Sequence, residues 1–256
     1  IYIASPNAGT GKSTVALGLV SCLTKVVAKV GVFRPFVESR EGDAFLSLLL
    51  NRAGSTTPAE QCVGATWDEF HADPEEALAR IVDAYRALAR EHDVVIIDGS
   101  DFTDVAGNPE LALNARVAAN IGVPVLLVVS GQNDVEDVVA SVEVSMAEIA
   151  DNHARTVAVV ANKCLPETRQ AVGEALTAIE GITSTTLPEV PLLAAPVVRE
   201  VLDAVEGTLI AGDETLLDRE AESVLVCAMD VAHVLERLTA GQLAIVPADR
   251  SAMLIS

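Results

Sequence analysis

Gly9, Thr10, Gly11, Lys12, Ser13 and Thr14 follow directly on the short apolar run Ile1-Tyr2-Ile3-Ala4. A strand running into a glycine-rich turn that opens a helix can cradle an anion. The backbone N–H groups of such a turn face inward, and the helix N-terminus adds partial positive charge. Lys12 can reach outer phosphates, and the Ser13 hydroxyl can hold Mg²⁺. The common spacing G-x-x-x-x-G-K-[ST] is incomplete here, because Pro6 stands where the first glycine belongs. Pro6 offers no N–H and stiffens the entry to the loop. Gly9 and Gly11 still permit close backbone approach to a phosphate. The bland alternative is an ordinary strand-to-helix bend. Val15, Ala16, Leu17, Leu19, Val20 and Leu23 favour the first reading, because they give the following segment an apolar helical face.

Three other positions could join this chemistry. Asp98 ends the apolar run Val94-Val95-Ile96-Ile97. An aspartate there can bind Mg²⁺ through water beside the loop, or cap the turn before Gly99; Asp101 and Asp104 fit turn chemistry as well as metal. Asn162 follows Val157-Ala158-Val159-Val160-Ala161, where its amide can pair with an adenine edge or serve as a turn residue. Lys163 can cover a base with its stem or stand as a surface charge. Arg34-Pro35 ends the second apolar run; the cation can meet an anionic substrate or a γ-phosphate, or pair with Glu38 or Asp43.

The elements that must position these residues alternate. Strand-like runs fall at 1–4, 30–33, 93–98, 123–129, 156–161 and 182–187, with helical stretches near 13–28, 74–91, 109–121, 134–151 and 167–180. Runs 93–98 and 123–129 are continuously apolar, as in parallel strands buried on both faces. Asp73, Pro74 and Glu76 give the 74–91 helix a clear start, and Leu78, Ile81, Val82, Tyr85 and Leu88 keep helical spacing. This order predicts an α/β three-layer sandwich with a mostly parallel sheet, which binds ligands at the carboxyl ends of its strands. Residues 5–12, Asp98 and Asn162 all fall there. Residues 219–238 read as one amphipathic helix, and Gly241–Val246 as a new strand opening a second, incomplete domain; the expected division is 1–200 and 201–256.

Composition sets further bounds. The chain has 256 residues, half of them hydrophobic, and only 3% aromatic, so Ala, Val, Leu and Ile must build the core. A net charge of −20 argues against a nucleic-acid polymer as partner. Cys22, Cys62, Cys164 and Cys227 contain no C-x-x-C pair and read as buried reduced thiols of a cytoplasmic protein, with no structural zinc. The histidines His71, His92, His153 and His233 read as surface or cap residues. No apolar run reaches membrane-spanning length. Ile1 is not an initiator residue, so the chain reads as a portion of a longer protein.

Gly9-Thr10-Gly11-Lys12-Ser13-Thr14, Val32-Phe33-Arg34-Pro35, Val159-Val160-Ala161-Asn162-Lys163 and Leu187-Pro188-Glu189-Val190-Pro191-Leu192 occur in the order seen in dethiobiotin synthetase-like P-loop domains. The chain more closely resembles the N-terminal half of long-form bacterial phosphate acetyltransferases. Ala221–Met229 and Leu243–Ser251 look like the start of the DRTGG-type domain that follows in those proteins. The resemblance covers nearly the whole chain. It implies a parent protein that converts acetyl-CoA and phosphate to acetyl phosphate and CoA, with its catalytic residues beyond Ser256. The segment itself would carry no catalytic residue. It would be a regulatory part that binds a nucleotide or metabolite effector (ATP, ADP or NADH), with Mg²⁺ for ATP or ADP. Its partner would be the acetyl-transfer domain of the same protein, in a homo-oligomer.

Departures from dethiobiotin synthetases bear on the alternatives. Arg34 stands where they place Lys, and Asp98-Gly99-Ser100-Asp101-Phe102 replaces their acidic-Gly-Ala-Gly-Gly loop. Arg cannot act as a neutral amine. Asn7 stands where ATP-dimerising relatives carry a second signature Lys. The competing readings are an ATP-dependent ligase of the dethiobiotin type and a structural assembly module whose loop no longer binds.

Overall fold

The computed structural model describes residues 1–100, 110–250 and 253. The chain divides into two compact units, Ile1–Glu189 and Val190–Ser256.

The first unit holds seven strands, β1 (Tyr2–Ala4), β2 (Val30–Val37), β3 (Val63–Thr66), β4 (Val94–Asp98), β5 (Val125–Ser130), β6 (Thr156–Cys164) and β7 (Thr183–Pro188). They form one parallel sheet in the order β3-β2-β4-β1-β5-β6-β7. Among the described residues the α-helices between them are α1 (Lys12–Leu23), α2 (Ala44–Ala53), α3 (Trp67–Ala72), α4 (Pro74–Ala89), α5 (Glu110–Ile121), α6 (Val135–Asp151) and α7 (Arg169–Thr177). Right-handed crossovers decide their faces. The connections through α1 and α2 move one way along the sheet, and those through α4, α5, α6 and α7 move the other. The first pair packs together, and the second set forms a row of neighbours. The three-layer α/β sandwich expected from the sequence is the fold.

Central strands are buried on both faces, with Ile3, Phe33, Ile96, Ile97, Leu127 and Val128 fully enclosed. That explains why their sequences are continuously apolar. The polar edge strand β7 shows the opposite pattern. Asp73 caps α4 as expected, accepting from the N–H groups of Glu75 and Glu76.

Four expectations are corrected. Arg34-Pro35 does not end the second strand, which runs on to Val37. Val30–Phe33 pairs with β4 and Arg34–Val37 with β3, so Pro35 lies beyond the β4 ladder, where its missing N–H breaks no bond to β4. Asn162 is not a turn residue; it lies within β6, opposite Ser130. Cys22 is exposed on α1, whereas Cys62, Cys164 and Cys227 are buried, and all four are free. Residues 219–238 are not one helix.

In the second unit that stretch divides into β8 (Ser223–Val226) and α9 (Val231–Leu235). A parallel ladder to β9 (Gln242–Ile245) claims the first part. The Asp230 side chain accepts from the His233 N–H and starts the helix afresh. A short α8 (Val198–Ala204) precedes them. Among the described residues, no helix is long and apolar enough to cross a membrane.

Candidate phosphate-binding site

β1 is enclosed at the centre of the sheet, and the chain leaves it at Ser5 to form the loop that ends in α1. Gly9 and Gly11 have φ of +77° and +81°, the left-handed region that glycine enters without penalty. A Cβ on Gly11 would also run into the side-chain nitrogen of Asn162. The carbonyls of residues 9–11 are occupied. Gly9 O accepts from Lys163 Nζ at 2.8 Å, Thr10 O from Asn162 Nδ2 at 2.8 Å, and Gly11 O from the Val15 N–H at 3.1 Å. The backbone N–H groups of residues 8–11, by contrast, have no acceptor among the described residues. Ser13 is half-buried and Thr14 exposed in the first turn of α1, where N–H groups also lack intrahelical partners.

Lys12 is buried. Its Nζ lies 2.8 Å from Asp98 Oδ1 and also donates to Gly99 O. Asp98 is equally enclosed; its Oδ2 has no hydrogen bond, although Arg34 Nε stands 3.4 Å away, within ion-pair reach but poorly aligned. Arg34 bonds Asp43 through its terminal nitrogen. The Asp43 carboxylate also accepts from the Leu46 N–H at 2.8 Å and so caps α2. The sequence left Arg34 open between an anionic ligand and an acidic neighbour, and in the structure it pairs with Asp43.

Residues that sequence reasoning missed support this edge. Asn114 Oδ1 accepts from the Tyr2 hydroxyl at 2.6 Å and from the Ser100 N–H at 3.0 Å, which fixes the chain just after Asp98. Its signal was present: Leu111, Asn114 and Ala118 share one buried helical stripe, and a polar residue in such a stripe needs a partner. Burial, with the charges of Asp98 and Glu110, pushes the Tyr2 phenol well above its ordinary value, so it stays a donor. A cavity of about 300 Å³ opens beside Arg34, lined by Phe36, Glu38, Asp43, Trp67 and Ser100. Ser100 Oγ is buried there without a partner among the described residues. Asp101 and Asp104 lie outside the described residues. Among the described residues no three His, Cys, Asp or Glu side chains cluster as metal ligands.

A parallel sheet with a glycine loop between its first strand and first helix defines a P-loop NTPase-like α/β domain. Residues 1–202 match the family model described as AAA domain, and the chain belongs to that family; residues 200–256 match the DRTGG domain. Phosphate acetyltransferases of Nitratidesulfovibrio vulgaris and Synechocystis sp. are 26% and 25% identical over the whole chain. The chain spans 38% of the length of each. A Borrelia burgdorferi protein described as a plasmid partition protein, solved bound to AMPPNP, aligns with TM-score 0.52 at 14% identity, over 84% of this chain and 92% of that one. At that identity the likeness concerns the fold.

Proposed function

We propose that this chain is the nucleotide-responsive regulatory part of a phosphate acetyltransferase, with a P-loop module over about residues 1–200 and a DRTGG-type module after it. It binds ATP or ADP at residues 9–14 and leaves acetyl transfer to the remainder of the parent protein. One observation carries this reading: four successive loop N–H groups, on residues 8–11, lack acceptors among the described residues, at the mouth of a helix whose first residue is Lys12. Unpaired backbone donors at a helix start are suited to phosphate oxygens. Mg²⁺ keeps most of its waters and needs only one or two protein oxygens beside the phosphates. Asp98 Oδ2, buried without a hydrogen bond, and the Ser13 hydroxyl fit that need. The ion would neutralise phosphate charge.

A second reading draws on the Lys12 ammonium, which Asp98 and Gly99 already satisfy. A loop closed in this way suits an assembly module that binds nothing. Titration calorimetry with Mg-ATP and Mg-ADP separates the two. The sensor reading expects saturable binding that Ser13→Ala weakens and Lys12→Ala removes. Absence of heat from the unmodified chain at millimolar nucleotide overturns it and leaves the assembly reading.

A further inference from the structure

We infer that Asn162 and Lys163 are positioning residues, a clasp from β6 that sets the direction of the phosphate-loop amides. The inference deepens the nucleotide reading and rests on it.

In a planar trans peptide the carbonyl and the following N–H point opposite ways. Among the described residues none of the peptides is cis. Lys163 holds the Gly9 carbonyl, so the Thr10 N–H faces away from β6; Asn162 holds the Thr10 carbonyl, so the Gly11 N–H does the same. Two side-chain bonds thus orient two of the four unpaired amides before any ligand arrives.

β6 is built to deliver both groups. Its pairing with β7 shifts register between Ala161 and Cys164, and the shift falls on Asn162 and Lys163. Lys163 has φ +60°, a left-handed conformation that a residue with a Cβ adopts at a cost. The Asn162 carbonyl accepts from the Gly131 N–H at 2.6 Å, which ties it to the neighbouring strand's end. A Cβ on Gly131 would collide with Cys164 Sγ, so a glycine is required there. The absence of a side chain at Gly11 makes room for the Asn162 amide. One of the two N–H donors of that amide is thereby committed to the loop.

The test uses the full chain, inorganic tripolyphosphate and ATP. Backbone ¹⁵N relaxation of the ligand-free protein is expected to give rigid order parameters, about 0.85, at Thr10 and Gly11, falling below about 0.6 in Lys163→Met and Asn162→Leu. Lys163→Arg, which keeps a cationic donor, restores rigidity. Affinity for tripolyphosphate and for ATP falls by the same factor in Asn162→Leu, about tenfold for one lost hydrogen bond. Unchanged order parameters in both variants overturn the clasp, whatever the chain binds. A loss confined to ATP with tripolyphosphate spared makes Asn162 a base contact and also overturns it. If the unmodified chain binds neither ligand, the nucleotide reading fails, and the relaxation measurement still decides whether the clasp exists.

Discussion

Lys12 Nζ and Asp98 Oδ1 stand 2.8 Å apart, and each side chain is only 1% exposed. The two groups that phosphate and Mg²⁺ would claim are therefore bound to each other. A nucleotide alone draws Lys12 toward phosphate and sets added negative charge beside the buried Asp98 carboxylate. Mg²⁺ alone, at Asp98 Oδ2, sets a second cation beside the buried Lys12 ammonium. Together the two ligands balance each other's charge at the pair. Mg²⁺ is thus expected to raise ATP affinity by more than tenfold, read by calorimetry with and without EDTA. Asp98→Asn is expected to shrink that dependence, since it frees Lys12 in advance. Equal ATP affinity with and without Mg²⁺ in the unmodified chain contradicts the exchange.

The same pair makes a stability prediction. Removing one partner of a buried ion pair costs about 3–5 kcal/mol, because the other charge is left without compensation. Arg34 Nε, 3.4 Å from Asp98 Oδ2, relieves part of that loss, so Lys12→Met is expected near the low end, about 3 kcal/mol. Adding Asp98→Leu removes the stranded charge and is expected to recover most of it. Urea unfolding of the three proteins measures both steps.

Much of this arrangement is legible in the sequence, for identifiable reasons. Residues 95–97 and 125–129 are buried on both faces, so 94–97 and 125–129 each form an uninterrupted apolar run that names itself a central strand. β3 escapes notice because Val63-Gly64-Ala65-Thr66 is short and carries a glycine. Gly64 is there because a Cβ would meet Pro35 O and Ile81 Cγ1, each at 2.5 Å, a tertiary constraint without local signature. Missing β3 also misplaces the end of β2. The loop and Lys12 are visible as a motif. The pairing of Arg34 with Asp43, nine residues on, is among the options the sequence offers; that of Asn162 with Thr10 depends on elements meeting in space across 152 residues, which no local pattern encodes.

The cysteines differ in reach and acidity. Cys22 lies exposed on α1, while Cys62 is fully enclosed and its thiol is pushed up to about 11, first by burial and then by the charge of Glu60. Burial also raises Cys164. Since the thiolate is the nucleophile, iodoacetamide at pH 8 is expected to label Cys22 and spare Cys62 and Cys164 until the chain is denatured. Raising the pH to 9 leaves Cys62 still below its pKa and still covered. Peptide mass spectrometry counts the adducts; early labelling of Cys62 speaks against this packing.

Acid is expected to loosen one wall of the cavity, through Glu69. Its carboxylate accepts from the Thr66 N–H at 2.9 Å, Arg40 at 2.7 Å and Arg80 at 3.2 Å, while Thr66 Oγ1 accepts from the Glu69 N–H. This capping box starts α3 at Trp67, whose ring stacks on Phe36 at 4.7 Å. The Thr66 N–H first, then Arg40 and Arg80, hold the Glu69 pKa below its ordinary value. A depressed carboxylate pKa contributes stability above the unfolded value, and that contribution is lost as pH falls through the folded value. The box is therefore intact at neutral pH and opens only as pH falls below the ordinary glutamate range. Trp67 is the chain's single tryptophan, so its emission reports the event directly. A shift to longer wavelength is expected on acidification through that range, before global unfolding. In Glu69→Gln, whose amide oxygen can still accept from the Thr66 N–H but carries no charge to lose, the emission is expected to stay flat across that range. An unmodified chain whose emission moves only with global unfolding shows that the box does not hold Trp67.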